Sequence, residues 1–189
     1  TNGAFMVVRF GNVLGSRGSI VPLFRKQILK GGPVTITDPE ASRFFMTIPE
    51  AASLVLKAGG VGENRNLYIL DMGGPICIRE LAEQMIKFHG YRPYSEIPIT
   101  YIGLRPGEKV KERLWSNDDA LIETEHPYIL KLDRKNSLGR TIEPIIEALK
   151  PICYFDPDNP DQYRNRVLFK DILQRFIPTI TAYENEPEY

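Results

Sequence analysis

The apolar positions of the chain fall into short runs and helical stripes, separated by glycine, proline and polar turns. Residues 5–10 open with Phe5-Met6-Val7-Val8, a near-continuous apolar run of the kind that forms a buried parallel strand. Gly11, Gly15 and Gly18 follow, with short polar side chains between them, as a strand-to-helix loop. A helix is expected over 20–30, with Pro22 in its first turn and Gly31 at its C-cap. Val34-Thr35-Ile36 reads as a short strand. Thr47 and Glu50 have capping-box spacing around Pro49, and their helix is expected to reach Ala58 and stop at Gly59-Gly60. Leu67-Tyr68-Ile69-Leu70 is a second short strand. Ile78, Leu81, Met85 and Phe88 then share one face of a helix over 76–89, ended by Gly90. Residues 97–102 are expected to be a third short strand and 103–107 a turn, with a helix beginning near Glu108. Ser116-Asn117-Asp118-Asp119 resembles another capping sequence. Beyond Lys131 the pattern weakens to two helices, over 143–150 and 167–176, around the turn-rich stretch 155–163.

Strands alternating with helices predict an α/β fold, with too few parallel strands for a complete nucleotide-binding sheet. The strand at 5–10 needs neighbours on both sides, so the chain's start reads as a cut through a larger fold. Composition changes this picture little. The 189 residues are 42% hydrophobic and 25% charged, ordinary values for a globular protein. Lys plus Arg equals Asp plus Glu at 24 each, and no basic patch stands out, which argues against nucleic acid as a partner. No apolar run approaches the ~20 residues of a membrane span. Cys77 and Cys153 are too few and too far apart for a disulfide framework, and His89 and His126 are equally isolated, so no metal site is expected.

Several chemistries lack their signature. The loop at Gly11–Gly18 follows a strand, but its spacing is G-x-x-x-G-x-x-G and not the G-x-G-x-x-G of a dinucleotide fingerprint. No tyrosine stands four residues before a lysine, the spacing that would place a phenol and an ammonium on one helical face for hydride chemistry. The remaining candidates are binding residues. Arg43 sits beside Phe44, Phe45 and Met46, and Arg105 is held in a turn by Pro106 and Gly107. Two fixed guanidinium forks suit a diphosphate, although a surface or salt-bridge role is the commoner one for either arginine taken singly. Asn12 could contact a ligand or satisfy its own loop. Glu108 could be a first-turn helix carboxylate or an acceptor of ribose hydroxyls.

Four strings, in order, then resemble one family. They are Val8-Arg9-Phe10-Gly11-Asn12-Val13-Leu14-Gly15-Ser16-Arg17-Gly18-Ser19, Arg43-Phe44-Phe45-Met46-Thr47-Ile48-Pro49-Glu50-Ala51, Leu70-Asp71-Met72-Gly73 and Gly103-Leu104-Arg105-Pro106-Gly107-Glu108-Lys109. Together they resemble the polysaccharide-biosynthesis branch of the extended short-chain dehydrogenases, the NAD(P)-dependent nucleotide-sugar 4,6-dehydratases. The match covers roughly residues 5–115, with weaker support to about 132. It implies the C-terminal part of such an enzyme: the last Rossmann strands and helix, and the small substrate-binding domain. Residues 1–131 would form this part, and residues 132–189 a helical, turn-rich extension.

The resemblance also assigns roles. Asn12 would contact the sugar nucleotide, Arg43 and Arg105 its diphosphate, and Glu108 the nucleoside ribose. Val34, Thr35 and Ile36 would flank the base, and Phe10 and Gly11 would pass the nicotinamide. It implies a UDP-sugar such as UDP-N-acetylglucosamine as substrate and NAD or NADP in the intact enzyme. The glycine fingerprint and the catalytic residues would lie in a missing N-terminal Rossmann half. By itself this chain is expected to hold no cofactor and to be inactive. A 4-epimerase, or a non-catalytic nucleotide-binding module, is the alternative reading. A cytoplasmic setting is expected, including that of a cytoplasmic domain on a membrane-anchored protein, with a homo-oligomer as a further arrangement.

Overall fold

The computed structural model describes residues 3–117, 119–133 and 142–177. The chain divides into two compact units, residues 1–135 and 136–189. In the first unit, β1 (Val7–Arg9) pairs in parallel with β6 (Leu67–Leu70), an arrangement that requires a long crossover such as the one that joins them. The other edge of β6 carries β10 (Ile129–Asp133), antiparallel, and β10 carries β9 (Ala120–Glu123). The resulting order is β1-β6-β10-β9, so β1 is an edge strand and β6 an inner one. Tyr68, Ile69 and Leu70 of β6 are all but fully buried, in keeping with that inner position.

Three two-stranded pairings complete the unit. β2 (Asn12–Val13) runs parallel to β5 (Phe45–Met46), β3 (Val34–Ile36) parallel to β8 (Ile99–Tyr101), and β4 (Ser42–Arg43) antiparallel to β7 (Ile76–Cys77). Helices α1 (Ile20–Leu29) and α3 (Ile78–Phe88) pack on each other and on β3. One apolar cluster joins Phe24 and Ile28 of α1, Val34 and Ile36 of β3, and Ile78, Ala82 and Ile86 of α3. A second cluster packs α2 (Ile48–Val61), through Ala51 and Ala58, against Tyr68, Leu70 and Ile129 of the four-stranded sheet.

The capping box at α2 is present as the sequence predicts. Thr47 Oγ1 accepts from the Glu50 N–H, and the Thr47 N–H donates to Glu50 Oε2 at 2.7 Å. Other expectations need correction. Helix α2 continues through Gly59-Gly60 to Val61, since its buried Ala58 anchors the last turn and Gly62 terminates it. Residues 108–114 form no helix. Ser116 and Asp119 do make a local bond pair, with the Ser116 N–H and Oγ both donating to Asp119 Oδ2, but a strand follows instead of a helix. The β9–β10 hairpin had no sequence prediction, and Phe88, predicted to face the core, is 87% exposed. The actual apolar face of α3 is Ile78, Ala82 and Ile86, with Leu81 and Met85 at its margins.

In the second unit, α4 (Ile142–Cys153) and α5 (Arg166–Phe176) pack together, with Ile145, Ile152 and Ile172 buried. Asn165 caps α5 by accepting from the Leu168 N–H at 3.0 Å. The aspartates between them make local turns: Asp156 accepts from the Asp158 N–H and from Asn159 Nδ2. Among the described residues no group of three or more His, Cys, Asp or Glu side chains could hold a metal ion. No described helix is long and apolar enough to cross a membrane.

Candidate functional site

A cleft of about 710 Å³ opens over the α1–β3–α3 cluster. It collects Asn12 from β2, Thr35 and Ile36 from β3, Arg43 from β4, and Arg105 and Glu108 from the turn after β8. Six of the seven residues assigned to substrate by resemblance thus meet in one place. The seventh, Val34, is fully buried beneath it, its N–H donating to Pro98 O at 2.8 Å.

The turn that presents Arg105 follows from its sequence. Pro106 occupies the second position and Gly107, with φ of +81°, the third, the type II arrangement that requires a positive φ there. The Glu108 N–H closes it on Arg105 O at 2.9 Å, and the Arg105 N–H returns to Glu108 Oε2 at 3.2 Å. The Arg105 side chain projects from this turn into an exposed position.

Arg43 stands differently. Its Nη1 donates to two backbone carbonyls, Ser42 O at 2.8 Å and Val110 O at 2.9 Å. Its Nη2 pairs with Glu108 Oε1 at 3.3 Å, the two side chains being 19% and 24% exposed. Glu108 Oε1 also accepts from Thr37 Oγ1 at 2.9 Å. Glu108 therefore links three segments, and Arg43 retains donor capacity, since a guanidinium has five N–H groups. Of the two readings the sequence leaves open for Arg43, the structure shows the salt bridge, and it also places the side chain at the cleft wall.

Asn12 pairs opposite Phe45, with its N–H on Phe44 O at 2.8 Å and its side-chain amide 3.5 Å from Glu112 Oε2. Phe10 and Gly11 do not line this cleft. Phe10 packs beside the α2 cluster, and the Gly11 N–H points to Met72 Sδ at 3.0 Å. A Cβ at Gly11 would come within 2.8 Å of both Phe44 Cβ and Phe44 O, so the glycine is explained by strand packing whether or not a cofactor passes it.

Sequence reasoning left some cleft residues without a role. Ser19 is the N-cap of α1, yet its side chain makes no cap bond, and its Oγ is buried without a hydrogen-bond partner. Its place between Gly18 and the first helical residue was the available signal. Thr37 and Ile102 line the cleft because β3 and β8 pair, a contact that no local pattern announces.

The α/β unit, with its parallel pairings, glycine-rich strand-to-helix loop and arginine-lined cleft, has a fold consistent with an extended short-chain-dehydrogenase, Rossmann-type domain. The family model described as "Polysaccharide biosynthesis protein" matches residues 1–134, and the chain belongs to that family. It is 51% identical over 146 residues to the capsular polysaccharide biosynthesis protein CapD of Staphylococcus aureus, covering 77% of this chain and 24% of that protein. It is 38% identical over 113 residues to the UDP-glucose 4-epimerase of Rickettsia prowazekii, covering 60% of this chain and 32% of the epimerase. Among solved structures, Pen from Bacillus thuringiensis superposes with a TM-score of 0.61 at 37% identity, over 70% of this chain and 40% of Pen. The chain thus spans only about a quarter to two fifths of the proteins it resembles here.

Proposed function

We propose that this chain is the sugar-nucleotide-holding portion of an NAD(P)-dependent nucleotide-sugar-modifying enzyme of surface-polysaccharide synthesis. The observation that carries the reading is the cleft in which Arg43, Arg105, Asn12, Thr35 and Glu108 converge. A diphosphate would take Arg105 and the remaining N–H groups of Arg43, since guanidinium forks match paired oxygen anions. The β3 strand would flank the nucleoside base. Glu108, through Thr37 and Arg43, would keep the phosphate end and the nucleoside end at a fixed separation. The dinucleotide of the intact protein would supply a hydride acceptor for the sugar, with Phe10 and Gly11 passing its nicotinamide. Parts of the intact protein outside this chain would complete that site, in a cytoplasmic setting where sugar nucleotides are available.

Two reactions share the first step, oxidation at sugar C4. A 4-epimerase returns the hydride to C4 on the opposite face. A 4,6-dehydratase loses water across C5–C6 and returns the hydride to C6. The likeness to UDP-glucose 4-epimerase supports the first. The Leu104–Lys109 string supports the second, with UDP-N-acetylglucosamine as substrate. Product analysis decides. Full-length protein is incubated with UDP-glucose and UDP-N-acetylglucosamine, and products are read by mass and NMR. A 4-epimer of unchanged mass supports the epimerase, and a 4-keto-6-deoxy sugar lighter by one water supports the dehydratase. Binding without turnover would leave a nucleotide-binding module, and no binding of either sugar nucleotide would overturn the proposal.

A further inference from the structure

Gln27 carries no role so far, yet it makes the closest polar contact between α1 and the strand that walls the cleft. Its Nε2 lies 2.7 Å from Thr35 Oγ1, and its Oε1 lies 3.2 Å from the Thr35 backbone N. The orientation of the amide is fixed by chemistry. A backbone N–H can only donate, so the carboxamide oxygen must face it, and the NH₂ must then face the hydroxyl. Thr35 Oγ1 is therefore an acceptor in this pair. Its own hydrogen stays available, and no acceptor for it stands among the described residues. Thr35 lines the cleft. A half-buried hydroxyl hydrogen without an acceptor is satisfied when a ligand brings one.

We propose that Gln27 is a specificity-determining positioning residue: by occupying Thr35 Oγ1 as donor, it turns the Thr35 hydroxyl into a donor toward the ligand. The cleft then favours a base that offers a carbonyl oxygen at this point, as uracil does, over one that offers an amino group, as cytosine does. This rests on the sugar-nucleotide reading of the cleft and adds the device that reads the base. Gln27 touches no ligand itself. Its effect passes through the direction of one hydroxyl.

Gln27→Glu tests this with little change of shape. A carboxylate accepts from both the Thr35 N–H and the Thr35 hydroxyl, so the hydroxyl hydrogen is drawn away from the cleft and only lone pairs remain. Thr35→Val removes the hydroxyl and keeps the backbone N–H bond to Gln27. Full-length protein is titrated calorimetrically with UDP and with CDP, which share the diphosphate, so that any general effect of the added charge cancels in the ratio. The wild type should prefer UDP by roughly three- to tenfold, the range for one neutral hydrogen bond. Gln27→Glu should abolish or invert that preference, and Thr35→Val should abolish it. If Gln27→Glu does not fold, Thr35→Val decides alone. A variant that binds both nucleotides with the wild-type ratio overturns the role of Gln27 and leaves the sugar-nucleotide reading intact. Failure of the wild type to bind either nucleotide removes both.

Discussion

Arg43 and Arg105 reach the same cleft on different footings, and their substitutions should separate accordingly. Arg105 extends from a rigid turn into an exposed position, so its loss should be felt by the ligand and not by the fold. A diphosphate keeps its charge while bonds change at the sugar, so contacts to it hold ground and transition states about equally. Arg105→Ala should then raise KM, with a smaller fall in kcat and an unchanged melting temperature. The loss in kcat/KM should be about ten- to a few-hundredfold, equivalent to roughly 1.5–3 kcal/mol for one charge-assisted contact. Lysine should rescue it only in part, because it keeps the charge and loses the fork. Arg43→Ala should do both: raise KM and lower the melting temperature, since two backbone carbonyls and Glu108 lose a donor. Steady-state kinetics with thermal melts on full-length protein checks both, and wild-type kinetics in two folded variants would remove the diphosphate assignment. At Gly11 the expected defect is steric. Gly11→Ala brings a methyl against Phe44 Cβ and its carbonyl and should cost about 1–3 kcal/mol in a urea melt, with wild-type stability ruling this out.

Elements whose signals are local were legible in the sequence. The α2 cap needs only Thr47 and Glu50, three residues apart, and α1, β3 and β6 follow from apolar runs bounded by glycine or polar turns. What escaped is set by distant contacts. The helix expected to begin near Glu108 does not form, because Ser42 N–H pairs with Val110 O and Arg43 with Glu108, bonds that hold the segment extended along β4. The β9–β10 hairpin exists because β10 finds the open side of β6, about sixty residues earlier in the chain, a fact no local pattern can contain. The site was legible as residue types and not as a network: Arg43 and Arg105 could be named, their unequal anchoring could not. The α2 cap also carries a pH dependence. The Thr47 backbone N–H, and then its hydroxyl, hold the Glu50 carboxyl below its ordinary value. A lowered folded value means that the charge contributes stability above the ordinary value of 4.5 and loses it as pH falls through the folded value. Urea melts of wild type and Glu50→Gln should therefore differ at neutral pH and converge as the pH falls through the lowered folded value, and a pH-independent difference would refute the cap's charge dependence.

At the scale of the whole molecule, β1 is the open side of the main sheet. Val7 is 57% exposed and Phe5 77% exposed, next to strand backbone that, among the described residues, pairs on one side only. An apolar edge of this kind templates pairing with another chain. Expressed as these 189 residues, the protein should self-associate at micromolar concentration, and Val7→Lys should reduce this in light scattering. A wild-type chain that stays monomeric would contradict it. The pairing of β3 with β8 has a different consequence, one of timing. These strands lie more than sixty residues apart, yet together they wall the cleft, and Glu108 arrives later still. Closing so long a loop delays the contacts it brings. During synthesis, α1 and α2 can begin to coil as they leave the ribosome, but the cleft cannot exist until residue 108 has emerged. A ribosome stalled short of that point would hold a nascent chain with helices and no cleft.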